Sequence, residues 1–343
     1  MKAELLLLKC IFTFSLFCTS QAGVVQRNEN SNIKKKIIID TDAGGDDAVG
    51  ILLALKFAEA HKEMIEILAI TCTFGNTAER NVETNVLKIL TIAKRNDIPV
   101  YGGADGPLVI TWEDSQYFGK DGFGDFEFSE EIKAKVDRSK HAAVALIDLV
   151  KAHPGEVTIV SLGPVTNLAL AARIDPSYIQ HVGEFISMGS TITGRGNIRP
   201  AVDFNFGTDP ESAFIFFNST TNPITLLSRE VSLNYPVMAE WRKNVFGIIK
   251  SKTVDFLNKA ESIDKRKSRF WSSSDTMSVA VALWPNLIKD YLIINVTPVY
   301  DGAAEGAVLV DYTNSTGKSA NAKIVLSFDL ELFKDNLLKY FKE

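Results

Sequence analysis

The sequence predicts an α/β fold: a single large domain with a mainly parallel sheet flanked by helices, its active site at the carboxyl ends of the strands. Three observations carry that expectation. Short, nearly continuous apolar runs such as "KIIID", "VTIVSLG" and "PITLLS" lack the polar alternation of half-exposed strands, so they read as strands covered on both faces. Amphipathic stretches of helical period lie between them. No Pro/Gly/Ser-rich linker or composition break divides the 343 residues, although length alone would allow two domains.

The elements follow in order. "KIIID" is the first strand, and "DDAVGILLALKFAEAH" the first helix. "IEILAITCTF", "IPVYGG", "VTIVSLG", "EFISMG" and "PITLLS" are further strands, with helices "AERNVETNVLKILTIAKR" and "HAAVALIDLVKAH" among them. From Val231 the order changes: "EWRKNVFGIIKSKTVDFLNKAE" and "DTMSVAVALW" read as helices, then "YLIINVTPVY", "AVLVDY" and "KIVLSF" as strands.

The first 22 residues have the layout of a secretory signal: Lys2, an apolar run, then Ser20 and Ala22 as a small-residue cleavage site. The run is interrupted by Lys9 and falls short of the ~20 residues that span a bilayer. The expected mature domain is 23–343, secreted to the extracellular space. Three Asn-x-Ser/Thr sequons, at Asn218, Asn295 and Asn314, agree with that address as glycosylation sites. Cys10 and Cys18 leave with the signal, so Cys72 alone remains and the fold must rely on its core. A formal charge of −5 and four histidines speak against nucleic acid, and no second apolar stretch suggests a membrane.

The segment after the first strand carries the chemistry. Asp40, Asp42, Asp46 and Asp47 fall within eight positions, and two like charges 4 Å apart repel by ~4 kcal/mol at an effective dielectric near 20. Helix capping accounts for Asp46 or Asp47 but not for Asp40 and Asp42. A phosphohydrolase of the haloacid dehalogenase type also ends a strand in Asp-x-Asp, yet its partner acidic pair comes from a much later strand. The remaining reading is a hard divalent cation held by oxygen ligands. No His–Cys set accompanies it, so zinc is not expected, and Mg²⁺ stays open on ligand type.

The motif "DTDAGGDDA" resembles the N-terminal signature of the inosine–uridine nucleoside hydrolases, usually DTDPGxDDA. The resemblance extends through "LAITCTFGN", "SLGPVTNLALA", "FISMG", "DFNFGTDPESA" and "SSSDTMSVAVAL". It implies a Ca²⁺-dependent enzyme that cleaves ribonucleosides to base and ribose, and the signal segment adds the expectation that it is secreted. By similarity, Asp42, Asp47, Asp275 and the carbonyl of Leu162 hold the Ca²⁺, and Asp42 is the general base on a water there. For Asp275 the local alternative is a helix N-cap. Asp46 binds a ribose hydroxyl and Asp40 supports the cluster from behind. Asn76, Met188, Asn197, Asp203 and Asn205 are the implied sugar contacts, Asn197 toward the 5′-hydroxyl. Asp203 stands where the family usually has Glu, and Ala43 where it has proline, a change expected to affect only turn stiffness.

The leaving base has the weakest signature. Family members place His or Trp before the late Asp, and this chain has Ser274. None of His61, His141, His153 and His181 lies in a matching segment. Aromatic stacking is then the available activation, with Phe118, Trp112 and Trp271 as the leading candidates, and Tyr117, Phe123 and Phe270 beside them. Stacking favours purines (inosine, guanosine, adenosine), as in the purine nucleosidases of insect saliva, which are secreted members. The alternatives are a uridine-preferring or broad-specificity hydrolase and a catalytically weak nucleoside- or calcium-binding protein. The family also implies a homo-oligomer, dimer or tetramer.

Overall fold

The computed structural model describes residues 34–263 and 268–342; the signal segment 1–22 and the start of the mature chain lie outside them. The described residues belong to one compact unit. In chain order the elements are β1 (Lys35–Thr41), α1 (Gly45–Ala60), β2 (Ile65–Cys72), α2 (Glu79–Ala93), β3 (Val100–Tyr101), α3 (Ala142–Ala152), β4 (Val157–Ser161), α4 (Thr166–Ile174) and β5 (Glu184–Met188). There follow α5 (Phe204–Thr208), α6 (Pro210–Ser219), β6 (Ile224–Leu227), α7 (Arg229–Asn234), α8 (Ala239–Trp241), α9 (Lys252–Ala260) and α10 (Ser274–Leu283). The chain closes with β7 (Ile288–Ile294), β8 (Val296–Pro298), β9 (Val308–Val310), β10 (Ala322–Phe328) and α11 (Leu330–Phe341).

Eight strands form one sheet in the order β3-β2-β1-β4-β5-β6-β10-β7. All neighbours are parallel except β7, which runs antiparallel to β10 at the edge. The three isoleucines of β1 show why both faces are covered. Successive side chains of a strand point opposite ways. Ile37 and Ile39 enter the core shared with α1, α2 and α10, and Ile38 enters the core shared with α3, α4 and α6.

The winding sets the position of the site. From β1 the chain moves outward through β2 to β3, then returns to lay β4 on the other side of β1. The ends of β1 and β4 stay paired, but the chain leaves them for helices on opposite faces of the sheet, α1 on one and α4 on the other, and a crevice opens at that switch point. α10 arrives from far along the chain and packs on α1. A Cβ on Gly50 would meet Val279 Cγ2 at 3.1 Å and the Asp275 carbonyl at 3.4 Å, so this glycine permits the close approach.

Several expected elements differ. The stretch 240–261 is not one helix: after α8 the backbone widens, with Gly247 N–H donating to the Arg242 carbonyl, and α9 starts afresh under a Ser251 cap that accepts from Val254 N–H. "IPVYGG" contributes only two paired residues. "YLIINVTPVY" divides at Asn295, so β7 joins the main sheet and β8 pairs with β9. Asn295 is buried at that break, and its Nδ2 donates to the Ser319 carbonyl at 2.8 Å. A buried, engaged amide has no room for a glycan, which removes Asn295 as an acceptor; Asn218 and Asn314 are exposed. Cys72 is a buried free thiol. No helix among the described residues is long and apolar enough to cross a membrane.

Candidate active site

The turn after β1 is built around carboxylates. Ala43 has φ of 29°, a value a proline ring forbids, so the residue alters the path of the turn and not only its stiffness. Thr41 Oγ1 donates to Asp47 Oδ1 at 2.5 Å, and Gly44 N–H donates to Asp47 Oδ2 at 2.9 Å. Asp46 and Asp47 thus occupy the first turn of α1 after a Gly44 cap, where the helix dipole favours negative charge. Asp275 is likewise inside the first turn of α10, behind Ser273, so it is not that helix's N-cap.

Asp40 lies behind the cluster. Its Oδ1 accepts from Thr71 Oγ1 at 2.5 Å and Asn167 Nδ2 at 2.9 Å. Burial pushes its pKa up to about 7 against these two bonds. Asn167 also bonds the Cys72 carbonyl at 2.8 Å and receives Ala104 N–H at 2.9 Å, so one buried amide joins three strand ends. Asn167→Ala is expected to cost about 3 kcal/mol, because it strands buried partners rather than exposing them to water. Urea unfolding monitored by circular dichroism measures it, and a loss within ~0.5 kcal/mol would remove the amide from this role.

Asp42 faces the crevice. Its Oδ2 accepts Asn76 N–H at 2.8 Å. A Cβ on Gly75 (φ 157°) would sit 2.2 Å from that same oxygen, so only glycine lets the backbone pass so near. Burial, then the charges of Asp47 and Asp46, hold Asp42 well above the usual carboxylate range. Burial and Asp46 raise Asp47 to about 7, and burial with Asp46, Asp47, Asp42 and Asp203 raises Asp275 well above normal. Carboxylates so placed repel one another and lack water to relieve it.

One oxygen from each of Asp46, Asp47 and Asp275 lies within 4.8 Å of the others. Asp275 Oδ1 is buried and accepts no hydrogen bond among the described residues. An all-oxygen, anionic donor set with an unused buried oxygen fits a hard divalent cation. Asp46, expected as a sugar contact, belongs to this close group, and its Oδ2 accepts from Ser272 Oγ at 2.7 Å. Asp42 lines the same cavity without being part of the closest three.

The cavity encloses about 210 Å³. Asp42, Asp46 and Asp275 line it on the acidic side, and of the other residues expected from the sequence Asn76, Leu162, Met188, Asn197, Asp203 and Asn205 line it too, whereas Asp47 and Asp40 are fully buried behind its wall. Asn205 Nδ2 donates to the carbonyls of Leu162 at 2.6 Å and Met188 at 3.2 Å, binding the ends of β4 and β5 together. Asp203 caps α5 by accepting Asn205 N–H, and burial lifts its pKa to about 6 against that bond and the charge of Arg229.

Of the three leading aromatic candidates, only Phe118 lines this cavity, with Tyr117 edge-on at 4.5 Å between ring centres. Trp112 packs edge-on against Phe74 instead. Trp271 donates Nε1–H to Glu261 at 2.6 Å and faces a neighbouring hollow with Phe270. Phe123 is core, between Phe126 and Phe256. Local sequence offers no way to separate these rings, since the partners are distant in the chain. Sequence reasoning also left Ser272, Ser115 and Arg229 without a role, although all three line the cavity. The serine run before Asp275 was the one available signal.

Residues 37–335 match the family model described as inosine-uridine preferring nucleoside hydrolase. A probable uridine nucleosidase of Arabidopsis thaliana is 37% identical over 190 residues, 54% of this chain and 56% of the relative, so the match spans about half of that protein. The inosine-uridine preferring nucleoside hydrolase of Leishmania major is 29% identical over 307 residues, 87% of this chain and 95% of the relative. A solved inosine-guanosine nucleoside hydrolase superposes with a TM-score of 0.80 at 29% identity, covering 90% of this chain and 98% of the other.

Proposed function

The chain belongs to the inosine-uridine preferring nucleoside hydrolase family, and from that premise we propose that it cleaves the N-glycosidic bond of ribonucleosides with water, releasing base and ribose. One observation carries the reading: Asp42 and Asp46 from one end of the chain and Asp275 from the other meet in a single cavity. Departure of the base leaves positive charge on the sugar, which this carboxylate wall stabilises. Asp42 is the general base. It lines the cavity, and Asn76 N–H holds its carboxylate in orientation toward the attacking water.

Asp42, Asp47, Asp275 and the Leu162 carbonyl would hold a Ca²⁺ ion, which when bound lowers the pKa of water and orients the ribose diol. Asp46, fixed by Ser272, meets a ribose hydroxyl, while Asn76, Met188 and Asn205 contact the ring and Asn197 and Asp203 the 5′ side. No histidine lines the cavity among the described residues, so the Phe118–Tyr117 wall stacks the base and solvent protonates it. That favours purines, in the manner of the secreted nucleosidases of insect saliva.

A uridine-preferring or broad enzyme is the second reading, favoured by the name of the Arabidopsis relative. A catalytically weak binder is the third. Incubation with inosine, guanosine, adenosine, uridine and 2′-deoxyinosine, following free base, separates them. The expected result is kcat/KM at least about tenfold higher for purines than for uridine, and about a hundredfold loss without the 2′-hydroxyl. Faster uridine turnover would overturn the purine preference, and no release from any ribonucleoside leaves only a binder. Export, glycans on Asn218 and Asn314, and assembly into a dimer or tetramer complete the proposal.

A further inference from the structure

Glu230 does not line the cavity, yet it holds a wall that does. It sits in the first turn of α7, just past the carboxyl end of β6, and is buried. Its carboxylate receives four hydrogen bonds from one loop. Oε1 accepts from Thr191 Oγ1 at 2.6 Å, Thr193 Oγ1 at 2.7 Å and Thr193 N–H at 3.0 Å, and Oε2 accepts from Ile192 N–H at 3.1 Å. Thr191 Oγ1 in turn accepts Arg195 N–H at 3.0 Å. Burial pushes the Glu230 pKa upward, but these donors outweigh it and keep the pKa below its ordinary value. The group is therefore a charged clamp, and charge-assisted bonds are the strong kind.

The clamped loop continues to Asn197, whose backbone N–H is held by the Val202 carbonyl at 3.0 Å. Asn197 lines the cavity, and its Oδ1 is buried with no hydrogen-bond partner among the described residues. A buried acceptor without a donor calls for one from a ligand. With the ribose diol at the carboxylates, the sugar's remaining hydroxyl donor is the exocyclic 5′-hydroxyl.

We infer that Glu230 is a positioning residue: by clamping Thr191 to Thr193 it presents Asn197 to the 5′-hydroxyl of the nucleoside. This rests on the nucleoside hydrolase reading. None of Glu230, Thr191, Ile192 and Thr193 lines the cavity, so the clamp's effect falls on binding at the 5′ end and spares the chemical step.

The test compares wild type and Glu230→Gln on inosine and on 5′-deoxyinosine. The carboxamide keeps the size but turns a donor toward the loop's own donors. KM for inosine is expected to rise about tenfold, with kcat within about threefold, while KM for 5′-deoxyinosine stays within about twofold of wild type. Thr191→Val removes one clamp bond and the support of Arg195 N–H, and is expected to show the same pattern at smaller size. It serves if Glu230→Gln fails to fold. Equal losses on both substrates, or none on either, overturn the inference while leaving the reaction intact. A wild type inactive on inosine overturns the reading beneath it.

Discussion

Asp42→Asn is expected to lower kcat on inosine by about a thousandfold while the protein still folds, the range that removal of a positioned general base produces. The substitution is nearly isosteric, and the new side chain can still accept Asn76 N–H through its carbonyl oxygen. It removes a buried charge that Asp47 and Asp46 repel, so no loss of stability from electrostatics is expected. KM should change by no more than about fivefold, because the sugar keeps its other contacts. Steady-state kinetics with a parallel thermal melt measure both. A loss of only a few-fold in a folded, metal-loaded variant would exclude Asp42 as the base.

The residues that made the fold legible are those whose neighbours are close in sequence. The isoleucine triplet of β1 announced a strand buried on both faces, and the alternation with helices announced the parallel sheet. The same holds for Asp42 to Asp47, whose repulsion is visible in eight letters. Asp275 needed the family motif, since locally it looked like a cap, and only the packing of α10 on α1 brings it to Asp46 and Asp47.

What stayed hidden depends on contacts between distant segments. The 240–261 stretch has helical composition throughout, but the backbone around Gly247 breaks it where α9 redirects toward α1 and α2. Asn295 satisfies the sequon rule and is nonetheless buried, because its amide closes the β7–β8 corner onto Ser319. Trp112 and Trp271 are as aromatic as Phe118, and only their partners, Phe74 and Glu261, remove them from the cavity. Glu230 carried no signal: its four bonds come from residues 37 to 39 positions earlier.

On the proposed reading, a divalent cation is what makes the association of Asp42, Asp46, Asp47 and Asp275 compatible with a folded, active site. Burial raises Asp47 and Asp275 above the ordinary carboxylate range, and like charge adds to it. A bound dication reverses that balance and stabilises the folded state by RT ln(1 + [L]/Kd), about 2.7 kcal/mol at a hundredfold excess over Kd. The decisive measurement is inosine turnover after treatment with a strong chelator, with elemental analysis confirming that the protein is metal-free. Turnover is expected to fall at least about a hundredfold, to recover on adding Ca²⁺, and to be accompanied by a lower melting temperature in the stripped form. Full turnover by protein shown to contain no metal would contradict the account.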